Sequence, residues 1–176
     1  MIHFIPNILT KDECKYLKDQ FDFEKKTRNS VDSGYFTNIS YGFKPSFVFD
    51  TYLEKLKSKV LEYNNNYDDL HNVNTFVREY VNTSTLIKHL DRKDISVTIS
   101  ICLESTINKE WPLYAEIDNK EYCLNTNVGD GILLFDADKI THWRNPLECQ
   151  EDERVVQFFL HWRPYNYVTK KIKSLL

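Results

Sequence analysis

Three residues in the second half of the chain have the side-chain types and the spacing to hold one metal ion. His89-Leu90-Asp91 places an imidazole and a carboxylate two residues apart, and residues two apart lie on the same face of an extended segment. A third donor, His142, follows the apolar run Ile132–Phe135, so a neighbouring strand can bring it beside the other two. Taken alone, the first motif is equally compatible with a surface loop histidine beside a solvated aspartate. The order of the motifs along the chain favours the metal site.

This set of donors indicates which metal would bind and which chemistry would follow. Two histidines and one carboxylate cover one side of an octahedral ion and leave three positions open, as in non-haem Fe(II) oxygenases. A bidentate 2-oxo acid can fill two of these positions and dioxygen the third, whereas a closed structural zinc site has no open position. The donor set therefore favours a catalytic iron site.

Arg154, twelve residues after His142, is the candidate for holding an anionic co-substrate. It shares strand parity with Val156, Phe158 and Leu160, so it faces the apolar side of a strand that begins there. A charge turned inward needs an anionic partner, and a guanidinium can bind a carboxylate through two parallel hydrogen bonds. The alternative is a solvated arginine in a charged loop.

The other histidines and a nearby arginine are assigned different roles. His3 and His71 lie outside the motif order, and His161 has the strand parity opposite to that of the candidate anion-binding arginine, so none is expected to bind the metal. Arg144, two residues after the third donor, is expected to be a solvated loop charge, with contact to the substrate as the alternative.

Two amphipathic helices are predicted in the first half of the chain. Thr10 and Glu13 have the spacing of a capping box, in which a hydroxyl and a carboxylate satisfy the exposed amides of a helix start. A second helix is predicted after Asp50, where apolar residues recur at helical spacing, and it is expected to stop in the run Asn64–Asn66.

From Val73 onward the pattern changes to short strands separated by turn residues. The clearest strand is Ile95–Leu103, whose apolar residues alternate with Ser96, Thr98, Ser100 and Cys102. Because a half-exposed strand usually carries charged residues outward, this small polar face is predicted to line a cavity. Further strands are predicted at Tyr114–Ile117, Tyr122–Asn125, Ile132–Phe135 and Val155–Trp162, with turns at Asp118-Asn119 and Gly129-Asp130-Gly131. Such regular short strands indicate a sandwich or a barrel.

Length, charge and cysteine content limit the partners and the setting. A chain of 176 residues suits one domain, and its formal net charge of −3 gives no overall attraction to nucleic acid or to an anionic membrane, so neither is expected as a partner. No apolar run approaches the roughly 20 residues that span a bilayer, and the four cysteines form no CxxC pair. A cytoplasmic protein with reduced thiols is expected, with Lys170, Lys171 and Lys173 in a solvated basic tail.

The stretch from about residue 75 to residue 164 resembles the 2-oxoglutarate/Fe(II)-dependent oxygenase superfamily, especially its small prolyl-4-hydroxylase-like members. The N-terminal segment from Phe4 to Cys14 is similar to the entry to that fold, where a helix starts after a short strand. The motifs that carry the resemblance are Val77-Arg78-Glu79-Tyr80, His89-Leu90-Asp91, Val128-Gly129-Asp130, Leu133-Leu134-Phe135, His142 and Arg154.

The resemblance implies a mainly β fold with N-terminal helices, a double-stranded β-helix or jelly roll. It implies one domain over residues 1–176, with helical support over about residues 10–66 and a jelly-roll core over about residues 73–164. It also implies Fe(II) bound by His89, Asp91 and His142, 2-oxoglutarate as co-substrate with Arg154 on its distal carboxylate, and ascorbate as an additional reductant.

Two departures from the family pattern concern the co-substrate. Val156 stands where many members carry a serine that helps to bind the carboxylate, and Cys102 stands where prolyl hydroxylases place a tyrosine with a similar role. Tyr80, on the strand before the first two donors, is the candidate for the missing hydroxyl. The alternative for Tyr80 is a core aromatic residue whose oxygen reaches the surface.

Hydroxylation of an aliphatic C–H bond, with release of succinate and carbon dioxide, is the reaction that the resemblance implies. Asp91 supports hydroxylation, because related halogenases replace this carboxylate with a small residue that admits chloride. A prolyl peptide, a free amino acid and another small metabolite all remain open as substrates, and the sequence does not predict the oligomeric state. The alternative of another class is a non-catalytic or cupin-like jelly-roll binding protein with a vestigial metal site.

Overall fold

The computed structural model describes residues 1–28, 37–64 and 67–165, so the predicted basic tail lies outside the described residues. Within them the chain forms two helices and nine strands. In chain order these are β1 (Ile2–Ile5), α1 (Lys11–Thr27), β2 (Thr37–Phe43), α2 (Phe47–Leu61), β3 (Leu70–His89), β4 (Val97–Ser105), β5 (Leu113–Ile117), β6 (Lys120–Leu124), β7 (Gly131–Phe135), β8 (Thr141–Arg144) and β9 (Val155–Pro164). Neither described helix is long and apolar enough to cross a membrane.

Helix α1 begins at the predicted capping box. The Thr10 hydroxyl accepts a hydrogen bond from the Glu13 amide at 3.2 Å, and the Glu13 carboxylate accepts one from the Thr10 amide at 2.9 Å. Cys14, Leu17 and Phe21 are fully buried along one side of the helix. The predicted start and the predicted apolar stripe are both confirmed.

Helix α2 begins at Phe47, earlier than the start after Asp50 that the sequence predicts. The Glu24 carboxylate of α1 accepts hydrogen bonds from the Ser46 amide at 3.0 and 3.1 Å, and it thereby satisfies a free amide at the helix start. This cap comes from a distant part of the chain, so local spacing does not reveal it. The helix ends at Leu61, and most of the asparagine run in which it was expected to stop lies outside the described residues.

The strands form one antiparallel sheet that curls into a nearly closed barrel. Its strand order is β1-β7-β4-β9-β3-β8-β5-β6, and β2 pairs with β3 beside this path. The five predicted strands are all present, with ends that differ by at most two residues. Asp118 and Asn119 form the predicted turn, both with positive φ. Strands β2 and β8 were not predicted.

The two faces of this sheet have different neighbours. Ile99 and Ile101 of β4, and Phe158 and Leu160 of β9, join one apolar core with residues of both helices. The opposite face of β4 carries Thr98 and Ser100, which line an internal cavity as predicted from their small size. The helices therefore close the outside of the sheet, and its inner face is free to line a site.

The turn before β7 depends on a glycine. Gly129 has φ of +95°, and a Cβ placed there would lie 2.6 Å from the Leu9 carbonyl oxygen. Beside it, the Asp130 carboxylate accepts hydrogen bonds from the amides of Asn7 and Asn127, both at 2.9 Å. The predicted Gly-Asp turn thus ties the N-terminal strand to the start of β7.

Replacing Gly129 with alanine is expected to lower the free energy of unfolding by about 1–3 kcal/mol, because alanine adds backbone strain and a steric clash. Chemical denaturation followed by circular dichroism measures this change. The matched control, Asn125→Ala at an exposed position of the same connection, is expected to stay within about 0.5 kcal/mol of the wild type. A Gly129→Ala protein as stable as the control would contradict the account of this turn.

Candidate metal centre and cavity

The two histidine donors face each other across neighbouring strands. His89, the last residue of β3, is the register partner of His142 in β8, and their ring centroids are 4.2 Å apart. The pairing shifts register between Leu86 and His89, which marks an irregularity just before the first donor. Strand pairing therefore brings together two residues that are far apart in sequence.

Backbone carbonyls orient both imidazole rings. The Nδ1 atom of His89 donates to the Ile87 carbonyl, and that of His142 donates to the Ile140 carbonyl, each at 2.9 Å. With Nδ1 as the donor to the backbone, Nε2 is in each ring the nitrogen that can bind a metal when the imidazole is neutral. Both Nε2 atoms point towards Asp91, at 3.9 Å from His89 and 3.8 Å from His142 to the same oxygen, Oδ1.

Asp91 is positioned by contacts from outside the histidine pair. Its amide donates to the Ala137 carbonyl at 3.2 Å, and its Oδ2 atom accepts a hydrogen bond from the Thr98 hydroxyl at 2.6 Å. These contacts hold one carboxylate oxygen away from the imidazoles and leave Oδ1 facing them. One atom from each of the three residues lies within 4.8 Å of the others.

The surroundings favour the neutral, metal-binding form of His89. Burial, followed by the neighbouring His142, lowers the pKa of His89. The side chains of His89, Asp91 and His142 are 8%, 14% and 7% exposed. Two neutral imidazole nitrogens and one carboxylate oxygen on one side of an ion are the donors that non-haem Fe(II) takes, so these residues fit the metal that their sequence pattern predicts.

The three donors lie in the wall of a cavity of about 350 Å³. Side chains from strands β2, β3, β4, β5, β7, β8 and β9 line it. Tyr80, the candidate co-substrate residue, lies in this wall with 1% of its surface exposed, and its ring meets the Trp111 ring edge-on at 4.8 Å. Burial raises the pKa of Tyr80, so its hydroxyl keeps a proton that it can donate.

Arg154 does not line this cavity, so the structure does not bring it together with the metal donors. Its guanidinium donates to Asp22 at 2.9 and 3.0 Å, to Glu79 at 2.7 Å and to Glu104 at 2.6 Å. The sequence correctly placed Arg154 on the apolar side of β9. That side, however, packs against the helices, and the anions that neutralise Arg154 come from the protein itself.

The prediction that Arg144 is a solvated loop charge is wrong, because this residue is buried. It is 2% exposed and lines the cavity two residues beyond His142 on β8. Residues two apart on a strand share a face, so the spacing to the metal donor was a signal that could have identified it. The short β8 strand itself was not predicted, and the signal was therefore missed.

His161 lines the cavity as well, together with Phe159. The sequence predicts no site role for His161, because its strand parity is opposite to that of Arg154, and Arg154 was expected to face the site. Burial lowers the pKa of His161 to about 4, so this imidazole is neutral near pH 7. His161 belongs to the cavity wall but not to the group of three metal donors.

No protein family model matches this sequence, and no curated protein matches it. Solved structures do resemble its fold. A Pseudomonas putida prolyl-4-hydroxylase superposes with a TM-score of 0.70 at 14% identity, and 92% of each chain is covered. The viral collagen prolyl hydroxylase vCPH from Paramecium bursaria Chlorella virus-1, in complex with 2-oxoglutarate, gives a TM-score of 0.66 at 14% identity, covering 92% of this chain and 94% of that chain.

A third structure widens the range of ligands seen on this fold. HygX from Streptomyces hygroscopicus, with nickel, 2-oxoglutarate and hygromycin B bound, gives a TM-score of 0.65 at 14% identity, covering 93% of this chain and 83% of that chain. Identities this low show a shared fold. The chain therefore has the double-stranded β-helix fold of 2-oxoglutarate/Fe(II) oxygenases, as its sequence motifs implied.

Replacing Thr98 with valine is expected to weaken metal binding by about 10–100-fold, because it removes the hydrogen bond that orients the Asp91 carboxylate and keeps the side-chain volume. Anaerobic calorimetric titration with Fe(II) measures the affinity. The control is Ser100→Ala on the same face of β4, because the Ser100 hydroxyl donates to Gln157. The Fe(II) affinity of this control is expected to match that of the wild type. Equal affinities for Thr98→Val and the wild type would show that this hydrogen bond does not position the donor.

Replacing Arg154 with methionine is expected to lower the free energy of unfolding at pH 7 by about 1–3 kcal/mol, since its carboxylate partners lose charge-assisted hydrogen bonds. Burial alone would raise the pKa of the Asp22 carboxyl, but Arg154 and Lys18 outweigh it and hold that pKa below the usual value. The contribution of Asp22 is therefore present above the unfolded pKa of about 3.9 and is lost as the pH falls through the folded value.

Urea unfolding of the Arg154→Met protein and the wild type at a series of pH values measures this effect. The difference between them is expected to shrink as the pH falls below about 3.9, because Asp22 becomes protonated and no longer needs the guanidinium. A difference that stays constant down to about pH 3 would contradict an electrostatic role for the cluster.

Proposed function

We propose that this protein is an Fe(II)- and 2-oxoglutarate-dependent dioxygenase that hydroxylates an aliphatic C–H bond of a prolyl peptide, an amino acid or another small substrate. The reaction consumes dioxygen and 2-oxoglutarate, places one oxygen atom on the substrate, and releases succinate and carbon dioxide. The observation that carries this proposal is the pre-oriented group of His89, Asp91 and His142 in the wall of an internal cavity.

Each of the three donors is proposed to contribute one ligand atom to the metal. The Nε2 atoms of His89 and His142 and the Oδ1 atom of Asp91 are the proposed ligands, and their backbone and Thr98 hydrogen bonds keep them aimed at one point. Bound iron supplies the redox chemistry that couples dioxygen and the 2-oxo acid to C–H hydroxylation. Ascorbate is the proposed additional reductant.

Side chains of several strands line the cavity around these donors. Asn74 and Phe76 of β3 line it together with Phe159 and His161 of β9, and Tyr80 lies further along β3. Leu86, Ile132 and Leu134 add apolar side chains to the wall. We assign the part of the cavity beside Asn74 and His161 to the substrate and the part beside Tyr80 to 2-oxoglutarate, with the Tyr80 hydroxyl as a donor to the co-substrate.

The size of the cavity favours a small substrate or one side chain of a peptide. Its volume of about 350 Å³ is at the lower end of the range of small-ligand sites. The structural neighbours named above include prolyl hydroxylases and a protein that binds hygromycin B. Both kinds of substrate therefore belong in the first panel of assays.

Replacing His142 with alanine is expected to abolish Fe(II) binding and succinate formation, because two donors cannot hold the ion on one side of the cavity. Anaerobic titration with Fe(II) measures binding, and succinate formed from 2-oxoglutarate in air, with prolyl peptides, amino acids and other small metabolites as substrates, measures turnover. Oxygen insertion is read from the product mass. The control is His71→Ala, because His71 stacks on Tyr165 outside the cavity, and it is expected to behave as the wild type.

Two results would contradict this proposal. Unchanged Fe(II) binding by His142→Ala would show that the metal site lies elsewhere. A wild-type protein that binds Fe(II) and 2-oxoglutarate, yet forms no succinate with any substrate of the panel, would instead be the non-catalytic jelly-roll binding protein.

A further inference from the structure

Arg144 brings a positive charge into the cavity without a carboxylate partner. One terminal nitrogen, Nη1, donates to the neutral Trp111 carbonyl at 2.6 Å, and the other, Nη2, is buried with no hydrogen-bond partner. The guanidinium lies over the Trp111 ring, 4.7 Å from its centroid. Within residues 1–28, 37–64 and 67–165, no aspartate or glutamate forms an ion pair with Arg144.

A buried guanidinium in this state is costly for the free protein. Arginine keeps its charge at physiological pH, and a charge taken out of water is normally paired. The unpartnered nitrogen of Arg144 belongs to a residue that lines the same cavity as the metal donors. An anion bound in that cavity would supply the missing partner.

The immediate neighbours of Arg144 can help to bind an anion but cannot replace it. Tyr80 and Cys102 interact electrostatically with the guanidinium, and both side chains are neutral near pH 7 because burial raises their pKa values. The Tyr80 hydroxyl can donate a hydrogen bond. The Arg144 guanidinium and the Tyr80 hydroxyl are thus two donors in the wall of the same cavity.

The position of Arg144 along β8 fits a ligand with acidic groups at both ends. His142 and Arg144 are two residues apart and share a strand face, so their Cα atoms lie about 6.7 Å apart. A short dicarboxylate whose 2-oxo acid end lies at the metal donors can extend along β8 and reach the guanidinium with its other end. A 2-oxo acid that lacks the second carboxylate would leave Arg144 unpaired.

We propose that Arg144 binds the distal carboxylate of 2-oxoglutarate, with Tyr80 as a second donor, an inference that rests on the proposed function. The anchor of the co-substrate then lies on β8, beside a metal donor, and not at Arg154 before the last strand. Arg154 already donates to three carboxylates of the protein. The guanidinium of Arg154 is therefore already paired within the protein.

The experiment compares two ligands that differ only at the distal end. 2-Oxoglutarate and 2-oxopentanoate are titrated into the anaerobic Fe(II) protein and into its Arg144→Met variant. The wild type is expected to prefer 2-oxoglutarate by about 100-fold or more, the usual cost of truncating one partner of a buried charge pair. In Arg144→Met the preference is expected to fall to within about threefold, with the affinity for 2-oxopentanoate unchanged.

Three further variants test whether the preference depends on the Arg144 guanidinium itself. Arg144→Lys retains a charge and is expected to keep an intermediate preference, as a single ammonium cannot form the two parallel hydrogen bonds of a guanidinium. Arg154→Met and Arg92→Ala are expected to keep the full preference, the first because Arg154 lies outside the cavity, the second because Arg92 pairs with Asp94. Thermal unfolding of each metal-free variant shows that it is folded.

The outcomes are distinguishable. A full preference for 2-oxoglutarate in Arg144→Met, or its loss in Arg154→Met, would overturn the assignment of Arg144 and leave the proposed function standing. If the wild-type Fe(II) protein binds neither 2-oxo acid, the proposed function fails and the anchor fails with it. Because 2-oxopentanoate has no distal carboxylate, its binding shows only whether the metal end of the ligand is held. It therefore separates a failure of the Arg144 anchor from a failure of the proposed function.

Discussion

The pairing of β3 with β8 is the interaction on which the candidate site depends. It places His89 opposite His142 and Leu86 opposite Arg144, so one stretch of antiparallel pairing sets both the metal donors and the buried cation. A shift of β8 by one residue would turn His142 and Arg144 to the other face of the sheet. On its other side β8 pairs with β5, where Ala115 lies opposite His142. Strands on both sides therefore fix the register.

The two arginines near the site show how the same side chain serves opposite purposes on the two faces of one sheet. Arg154 lies on the helix side, where carboxylates from α1, β3 and β4 surround it and hold the helix against the strands. Arg144 lies on the cavity side, where its described partners are an aromatic ring and a carbonyl. The first charge is neutralised by the fold itself. The second is left for a ligand, which is an expected arrangement for a binding site and an unfavourable one for a structural core.

Much of this arrangement could be predicted from the sequence, and what was missed for Arg154 and for the start of α2 depends on tertiary contacts. Local signals identified the capping box of α1, the alternation of β4 and the three metal donors, since each depends on spacing within a short segment. Strand parity also grouped Arg154 with Phe158 and Leu160 correctly. It could not show that this face packs on helices, because both faces of β9 carry large aromatic residues and only the tertiary structure distinguishes them. The early start of α2 was missed for a similar reason, as its cap is Glu24 from another helix. The metal-binding and co-substrate roles themselves stay predictions.

The central claim is that one cavity holds a metal at His89, Asp91 and His142 and a dicarboxylic 2-oxo acid that reaches Arg144. A crystal structure of the protein grown anaerobically with Fe(II) and 2-oxoglutarate tests it most directly. The account predicts one metal bound by the Nε2 atoms of both histidines and by Asp91, with the distal carboxylate of the co-substrate on the Arg144 guanidinium. A metal bound by other residues, or a co-substrate carboxylate paired with Arg154, would contradict it.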